Sequence, residues 1–339
     1  MVENCHGDGD DYGPFVTHGQ FEHDLTYIGN SGLLSFANSG THWGDSAKRI
    51  TVKKHIATRI VAHKKLTDLT LEDCYAINKP GLGNSGSIWA NVDGLQIRGC
   101  IAENMITLSQ SSARSKRPNS IESSSFGMLK GYEIARPIRS EAVGVTPVAN
   151  DLLIANCQFT KVEDVNIGSI NRLTLRDTWF RGLSEATGIL RVGSKEVLVS
   201  GGGLENCSLV FTGAWDYAKT GTADQSLTVD GGAVFHGTNG EKAFIVKKSE
   251  GGVFTLHYGS CQSLAADQAT AHFRITDGKL HLKAVGSRFK GGRYDAAEGS
   301  VAGGAYFLIT ACVEEQVNRS SLPAEGTSVQ HTNGNLIIG

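Results

Sequence analysis

The chain has 339 residues, 40% of them hydrophobic, and a formal net charge of −2. It holds 42 glycines and 6 prolines, a balance that favours tight turns between short strands. No long Lys/Arg run indicates a nucleic-acid partner. Apolar runs are far shorter than the ~18 residues of a membrane span. The N-terminus, MVENCHGDGDDYG, does not resemble a signal peptide.

Two polar clusters near the N-terminus combine titratable groups with an indole. They are FEHD at residues 21–24 and THWGD at residues 41–45. Indole faces stack on sugar rings, and carboxylates bind hydroxyl groups or transfer protons. The clusters predict a saccharide subsite, with solvated bends as the alternative. The catalytic candidates are Asp24 and Asp45, and the substrate-binding candidates are Glu22, His42 and Trp43.

An eight-residue phrase recurs along the chain, first as LTLEDCYA at 69–76 and LQIRGCIA at 95–102. Further phrases begin at Leu152, Leu173, Val197, Leu227, Phe254 and Leu280. Apolar residues alternate over the first three positions, as in a half-buried strand, and the alternation then breaks and restarts. Each phrase therefore predicts a strand, a sharp bend and a second strand. Turn-tolerant residues mark the expected bends: Asp73, Gly99, Asn156 and Asp177.

The spacing of the phrases predicts the architecture. They return about every 20–30 residues, and a further alternating run precedes each one, as in SIWANVDGL at 87–95. This pattern predicts an all-β, single-stranded parallel β-helix, whose coils stack ~4.8 Å apart. Cys74, Cys100 and Cys157 should then form one buried interior column of thiols. We expect no metal site and no cofactor.

Function on such a fold must lie on its outer faces or loops. Glu72, Arg98 and Glu122 should form an outward acid–base–acid column. Two carboxylates two coils apart suit an inverting glycosidase, and a ladder of surface ion pairs is the alternative. We therefore name Glu72 and Glu122 as catalytic candidates and Arg98 as a substrate-binding one. Trp89, on the strand before the second phrase, is a further binding candidate.

Two loops are candidate contact surfaces. The segment SQSSARSKRPNS at 109–120 is basic and rich in serine, and it suits an anionic polymer. The insertion TGAWDYAKTGTADQ at 212–225 presents Trp215 and Tyr217, which suit a ligand or a neighbouring subunit. A loop packed back on the coils is the alternative for this insertion.

The ends of the chain differ from its middle. Val2–Cys5 repeats the pattern of Leu204–Cys207, so we expect the chain to begin in mid-coil as part of a longer protein. The predicted β-helix spans residues 1–310. Residues 311–339 are polar and predict a tail or end cap.

The phrases, and segments such as LTDLTLEDC and GSIWANVDGLQIRGC, resemble bacteriophage tailspikes with a pectin-lyase-like right-handed β-helix. The resemblance covers most of the chain. It implies a homotrimer in the virion tail that binds a bacterial surface polysaccharide, capsule or wall teichoic acid, outside the host cell. It also implies depolymerisation by a glycoside hydrolase or polysaccharide lyase activity. That family shares no catalytic sequence pattern to transfer residue by residue.

Two other functions fit the same residues. One is a secreted lyase or epimerase acting on a uronate polymer, with Arg98 or Lys53 as the base. The other is a structural or receptor-binding shaft without turnover.

Overall fold

In the computed structural model the protein is all-β, with strands paired in parallel. It divides into two compact units, unit 1 (residues 1–161) and unit 2 (residues 162–339). The structure describes residues 1–7, 15–16, 22–36, 47–79, 85–109, 115–127, 138–141, 151–167, 172–182, 188–212, 224–237, 241–248, 251–301, 305–322, 329–331 and 336–338. Within them, no helix has the length and apolar character needed to cross a membrane.

Unit 1 contains three series of strands, and each strand of a series pairs in parallel with its equivalent in the next repeat. The first series is β1 (Val2–Glu3), β3 (Thr26–Ile28), β5 (Lys48–Lys53), the second half of β7 (Arg59–Glu72), β10 (Gln96–Arg98), β13 (Asn119–Glu122) and β16 (Leu152–Ala155). The second is β6 (Ile56–Ala57), β8 (Tyr75–Ala76), β11 (Ile101–Ala102), β14 (Ser125–Phe126) and β17 (Gln158–Val162). The third is β2 (Phe15–Val16), β4 (Leu34–Phe36), the first half of β7, β9 (Ser87–Asp93), β12 (Ile106–Ser109) and β15 (Ile138–Glu141).

The core of unit 1 consists of like side chains stacked from repeat to repeat. In the first series Val52 pairs with Leu71, and Leu71 with Ile97, and all three are fully buried. In the second series Phe126 and Phe159 stack with ring centroids 5.3 Å apart. Because side chains alternate along a strand, every second residue must be apolar to fill this core. The alternation in the recurring phrase reflects this requirement.

The predicted cysteine column is confirmed. Cys74, Cys100 and Cys157 are buried free thiols. The backbone N–H of Cys74 donates to Cys100 Sγ at 3.4 Å, and that of Cys100 donates to Ser124 Oγ at 3.0 Å. Since Ser125 pairs with Gln158, Cys157 follows Ser124 in the column. The thiols therefore act as small packing groups, with one serine among them.

The predicted bends are also confirmed. Asp73, Gly99, Asn156 and Asp177 have φ of 54°, 60°, 54° and 48°. Such left-handed backbone is uncommon except at Gly, Asn and Asp. At Gly99 a side chain would also collide with Asp73 Oδ1 of the preceding repeat. The position therefore holds either glycine or a residue with a short polar side chain, as in the successive repeats with Asp73, Gly99, Ser123 and Asn156.

Unit 2 repeats the arrangement. Its first series is the first half of β19 (Arg172–Gly182), the first half of β21 (Glu196–Glu205), β23 (Gln225–Asp230), β26 (Val253–Gly259), β29 (Lys279–Val285), β32 (Tyr306–Thr310) and β34 (Val329–His331). The second is the later halves of β19 and β21, β24 (Val234–Gly237), β27 (Gln262–Ala265), β30 (Arg288–Lys290), β33 (Val313–Glu315) and β35 (Leu336–Ile338). The third is β18 (Asp164–Ile167), β20 (Gly188–Val192), β22 (Cys207–Phe211), β25 (Ala243–Lys247), β28 (Ala271–Ile275) and β31 (Arg293–Ala296). A short helix, α1 (Glu298–Val301), precedes β32.

Two details of unit 2 bear on the predicted elements. Leu227 pairs with Leu256, and Leu256 with Leu282, so the phrases predicted to begin at Phe254 and Leu280 begin two residues later. A pattern of period two places residues i and i+2 on the same face, and it cannot fix where a strand starts.

Parallel pairing also continues beyond Thr310, since β33 pairs with β30 and β35 with β33.

Candidate functional site

A groove on unit 1 collects basic side chains from three parts of the chain. Its volume is about 620 Å³, within the range of small-molecule sites. It is lined by Lys48, Arg49, Thr67, Asp68, Ser115, Lys116 and Arg117. Four of these side chains are cations and one is a carboxylate, although the whole chain carries a slight negative charge. The lining therefore creates a local positive electrostatic potential, which favours anions.

A second column of bends forms one wall of the groove. Arg49, Asp68 and Gly94 occupy the same position in three successive repeats, with φ of 56°, 58° and 77°. The side chains of Arg49 and Asp68 project from these bends. A Cβ at Gly94 would lie 2.6 Å from Ser115 Oγ, so glycine also leaves room for residues 115–117 to approach.

The opposite wall is the segment 115–117, which hydrogen bonds hold in place. The backbone N–H of Ser115 donates to Asp93 Oδ2 at 2.8 Å, and its hydroxyl donates to the carboxylate of Asp68. Arg117 Nη2 donates to the carbonyl of Leu69 at 2.9 Å. Burial lowers the pKa of Arg117 and Asp68 opposes that shift, but a guanidinium remains charged at neutral pH.

Lys48 and Lys116 are the two lysines that line the groove. Both side chains are exposed. Within the described residues, neither ammonium group makes a hydrogen bond or an ion pair, unlike the anchored Arg49 and Arg117. An entering anion therefore meets two available ammonium groups beside two fixed guanidinium groups. Phosphate, sulfate and carboxylate groups fit this donor set.

Asp24, a catalytic candidate, lies at the edge of this bend column. Arg49 donates to its two carboxylate oxygens at 2.5 and 2.7 Å, and His23 Nδ1 lies 2.8 Å from Oδ2. These hydrogen bonds, those from Arg49 first, hold the pKa of Asp24 far below its usual range. The carboxylate is therefore ionised at neutral pH and cannot act as a general acid there. The structure shows it orienting Arg49.

Glu72, Arg98 and Glu122 do stand in one outward column, as predicted. Each pairs with the next across neighbouring repeats. Lys53 Nζ lies 2.8 Å from Glu72 Oε2, and Arg98 Nε lies 3.8 Å from Glu122 Oε1. The Lys53 hydrogen bond lowers the pKa of Glu72, so that carboxylate is ionised as well. This geometry is that of a surface ion-pair ladder, and catalysis by Glu72 and Glu122 stays a prediction.

The other site candidates do not join the groove lining. Glu22 is half-buried, and its carbonyl accepts a hydrogen bond from the Lys48 N–H at 3.0 Å. Trp89 is half-buried in β9, where it pairs with Val61 and Thr107. The remaining predicted residues lie outside the described part of the chain: His42, Trp43, Asp45, Trp215 and Tyr217.

Sequence reasoning missed the first wall of the groove. It identified the basic loop that contains Lys116, but not Lys48, Arg49 or Asp68. One available signal was the residue directly before each phrase, which is Arg49, Asp68 or Gly94 in successive repeats. Aligned on the phrase, these residues mark a second bend column, and a charged side chain at a bend points outward.

No cluster of three or more His, Cys, Asp and Glu side chains that could hold a metal ion occurs in the part of the chain that the structure describes. Comparison of the chain with protein-family models, with curated proteins and with solved structures finds no match.

Proposed function

We propose that this chain is a tailspike-type, right-handed parallel β-helix that binds an anionic bacterial surface polysaccharide in the basic groove of unit 1. Three series of short parallel strands in each unit, with like residues stacked from repeat to repeat, support the β-helix. The tailspike assignment rests on the resemblance of the recurring phrases. A homotrimer in the virion tail belongs to the same proposal.

The groove is the single observation that carries the ligand class. Four cationic side chains line it together with one carboxylate. A neutral glycan would gain nothing from Lys48 and Lys116. A polymer with repeated phosphate or carboxylate groups would pair with both, and it would release counterions as it bound. Wall teichoic acids and acidic capsules have this chemistry.

The test is binding of the full chain to three purified polymers: poly(glycerol phosphate), polygalacturonate and a neutral glucan. We expect binding to one or both anionic polymers, weakened as salt rises, and none to the glucan. The double variant Lys48→Ala with Lys116→Ala should bind at least roughly tenfold more weakly, since each lysine loses a charge-assisted hydrogen bond.

The matched control removes two exposed lysines elsewhere, Lys195→Ala with Lys290→Ala. It changes the net charge by the same amount and should keep wild-type affinity. Equal loss in both double variants would show that binding follows net charge rather than the groove. Salt-independent binding to the glucan would overturn the proposal.

A further inference from the structure

Three ionisable side chains converge on the outward face of the first strand series in unit 2. His257 of β26 pairs with Lys283 of β29. Asp230 ends β23, and its neighbour in the next repeat is Gly259, because Val229 pairs with Tyr258. Asp230, His257 and Lys283 therefore belong to three successive repeats and face the same side.

Gly259 leaves a recess between the carboxylate and the imidazole. A Cβ built at Gly259 would lie 3.7 Å from Asp230 Cβ and 3.7 Å from His257 Nε2. His257 thus leans across the position where Gly259 lacks a side chain. Both distances are ordinary van der Waals contacts, and the φ of Gly259 is not positive. An alanine would fit without strain and would fill the recess.

The charges around the recess define its chemistry. Burial, and then the ammonium of Lys283, lower the pKa of His257, while Asp230 opposes the shift. The imidazole is therefore neutral at neutral pH and can accept a proton. Asp230 Oδ1 is buried and makes no hydrogen bond with the described residues, so its charge is available to a protonated His257. Lys283 is exposed beside them.

These three groups suit cleavage of a phosphodiester bond better than hydrolysis of a glycosidic bond. Glycoside hydrolysis requires two carboxyl groups, and the recess has one. Transfer of a phosphodiester to a neighbouring hydroxyl needs a base for the hydroxyl proton and a cation for the charge that develops on the phosphate. His257 and Lys283 supply both.

We propose that the recess at Gly259 cleaves a phosphodiester polymer that carries a hydroxyl group next to each phosphate, with His257 as proton acceptor and Lys283 as the charge-stabilising cation. This inference rests on the proposed function, because it takes the anionic polymer of the groove to be a poly(alditol phosphate).

The step is balanced without a further reactant. The hydroxyl of the polymer loses its proton to His257 Nε2 as its oxygen forms a bond to phosphorus. The bond from phosphorus to the next alditol oxygen breaks, and that oxygen takes the proton back from the imidazolium. The products are a cyclic phosphate end and a free hydroxyl end. Asp230 is a positioning residue that stabilises the imidazolium.

The test follows poly(glycerol phosphate) by phosphorus NMR, with binding to the same polymer measured in parallel. We expect wild-type protein to form a cyclic phosphate signal. His257→Gln should lower the initial rate by roughly 10²–10⁴-fold, the range for loss of a general base, with binding unchanged. Gly259→Ala should slow cleavage by placing a methyl group against His257 Nε2, while Gly299→Ala in α1, where a Cβ meets nothing within 4 Å, should cleave normally.

The outcomes separate the two proposals. Wild-type protein that binds the polymer but forms no cyclic phosphate overturns the cleavage site and leaves the proposed function standing. Failure of wild-type protein to bind any anionic polymer overturns the proposed function. Full cleavage by folded His257→Gln and Gly259→Ala, checked by circular dichroism, would also refute the site. Asp230→Asn should move the acid limb of the rate–pH profile to lower pH, an effect that a purely structural role would not produce.

Discussion

Arg49 holds the carboxylate of Asp24 with two hydrogen bonds, of 2.5 and 2.7 Å, across 25 residues of sequence. Asp24 was predicted as a catalytic residue, and Arg49 lines the groove. The pair therefore couples a predicted catalytic residue to the electrostatics of the groove.

Asp24→Asn tests that coupling. The change removes a negative charge next to the groove and releases Arg49, so we expect anionic polymer to bind roughly two- to fivefold more tightly. Titration calorimetry at low salt measures the difference, with Glu298→Gln in unit 2 as the charge control. A catalytic Asp24 would instead show unchanged binding and lost turnover.

Gly99→Ala tests the first bend column. Alanine at a φ of 60° is strained, and its Cβ would collide with Asp73 Oδ1. We expect the free energy of unfolding to fall by about 1–3 kcal/mol. Urea denaturation measures the loss. Adding Asp73→Gly, which removes the collision, should recover part of it; strictly additive effects would show that the two residues are not in contact.

His272 makes the stability of unit 2 depend on pH. The side chain is fully buried, and its ring nitrogens lie 2.8 Å from Ser263 Oγ and 3.0 Å from the Gly291 carbonyl. Burial lowers its pKa to about 4, so the unfolded chain binds the proton more readily between about pH 6.5 and 4. The contribution of neutral His272 to the free energy of unfolding is therefore fully present above about pH 6.5. It decreases as pH falls through the window, by up to ~3 kcal/mol.

Urea denaturation at pH 7.5, 6, 5 and 4 measures this slope. The variant His272→Asn should be less stable at pH 7.5, because it loses buried packing, but it should show a flatter pH dependence. A slope equal to that of wild type would mean that other groups account for the acid sensitivity.

The free thiols give a direct test of the interior column. Cys5 is exposed, and the other six cysteines are buried. Burial raises the pKa of Cys157 to about 11 and that of Cys207 to about 12, which further suppresses reaction. A thiol reagent at pH 8 should therefore modify one cysteine rapidly in native protein and seven in guanidinium chloride. Rapid modification of Cys74, Cys100 or Cys157 would contradict the column.

Glu72→Gln tests the outward ion-pair column. Lys53 lowers the pKa of Glu72 in the folded protein. The ion pair therefore stabilises the fold at pH values above the pKa of Glu72 in the unfolded chain, and this stabilisation is lost as pH falls through the lower pKa of the folded protein. Both side chains are well exposed, so we expect a loss below about 1 kcal/mol at pH 7, a smaller loss as pH falls, and none in 1 M salt. Thermal unfolding measures it, and a loss that persists in high salt would indicate packing instead.

The sequence predicted what recurs from repeat to repeat. The alternation, the bend at Asp73 and the cysteine column all follow from one requirement, that each repeat offers its neighbour the same apolar face. The chemistry of the groove residues does not recur: Arg49, Asp68 and Gly94 share one position in successive repeats, and the repeat predicts that position but not its side chain. Lys48 and Lys116 lie 68 positions apart, and they line the same groove, where Gly94 leaves room for Ser115 beside a bend.

The recess at Gly259 escaped notice for a related reason. A pattern of period two does not fix which outward residue of one strand lies beside a given outward residue of the next. With the correct register, Lys283 stands beside His257. The missing side chain at Gly259 carried no signal by itself, since the chain has 42 glycines.

Because each repeat pairs only with its neighbours, the groove depends on the few repeats that carry its residues. Its cations are held by the rows immediately around them, so gain or loss of whole rows elsewhere in unit 1 would leave them in place. Under the proposed function, the number of repeats and the ligand preference could therefore change independently, the first by gain or loss of whole repeats and the second by substitution of a few bend residues.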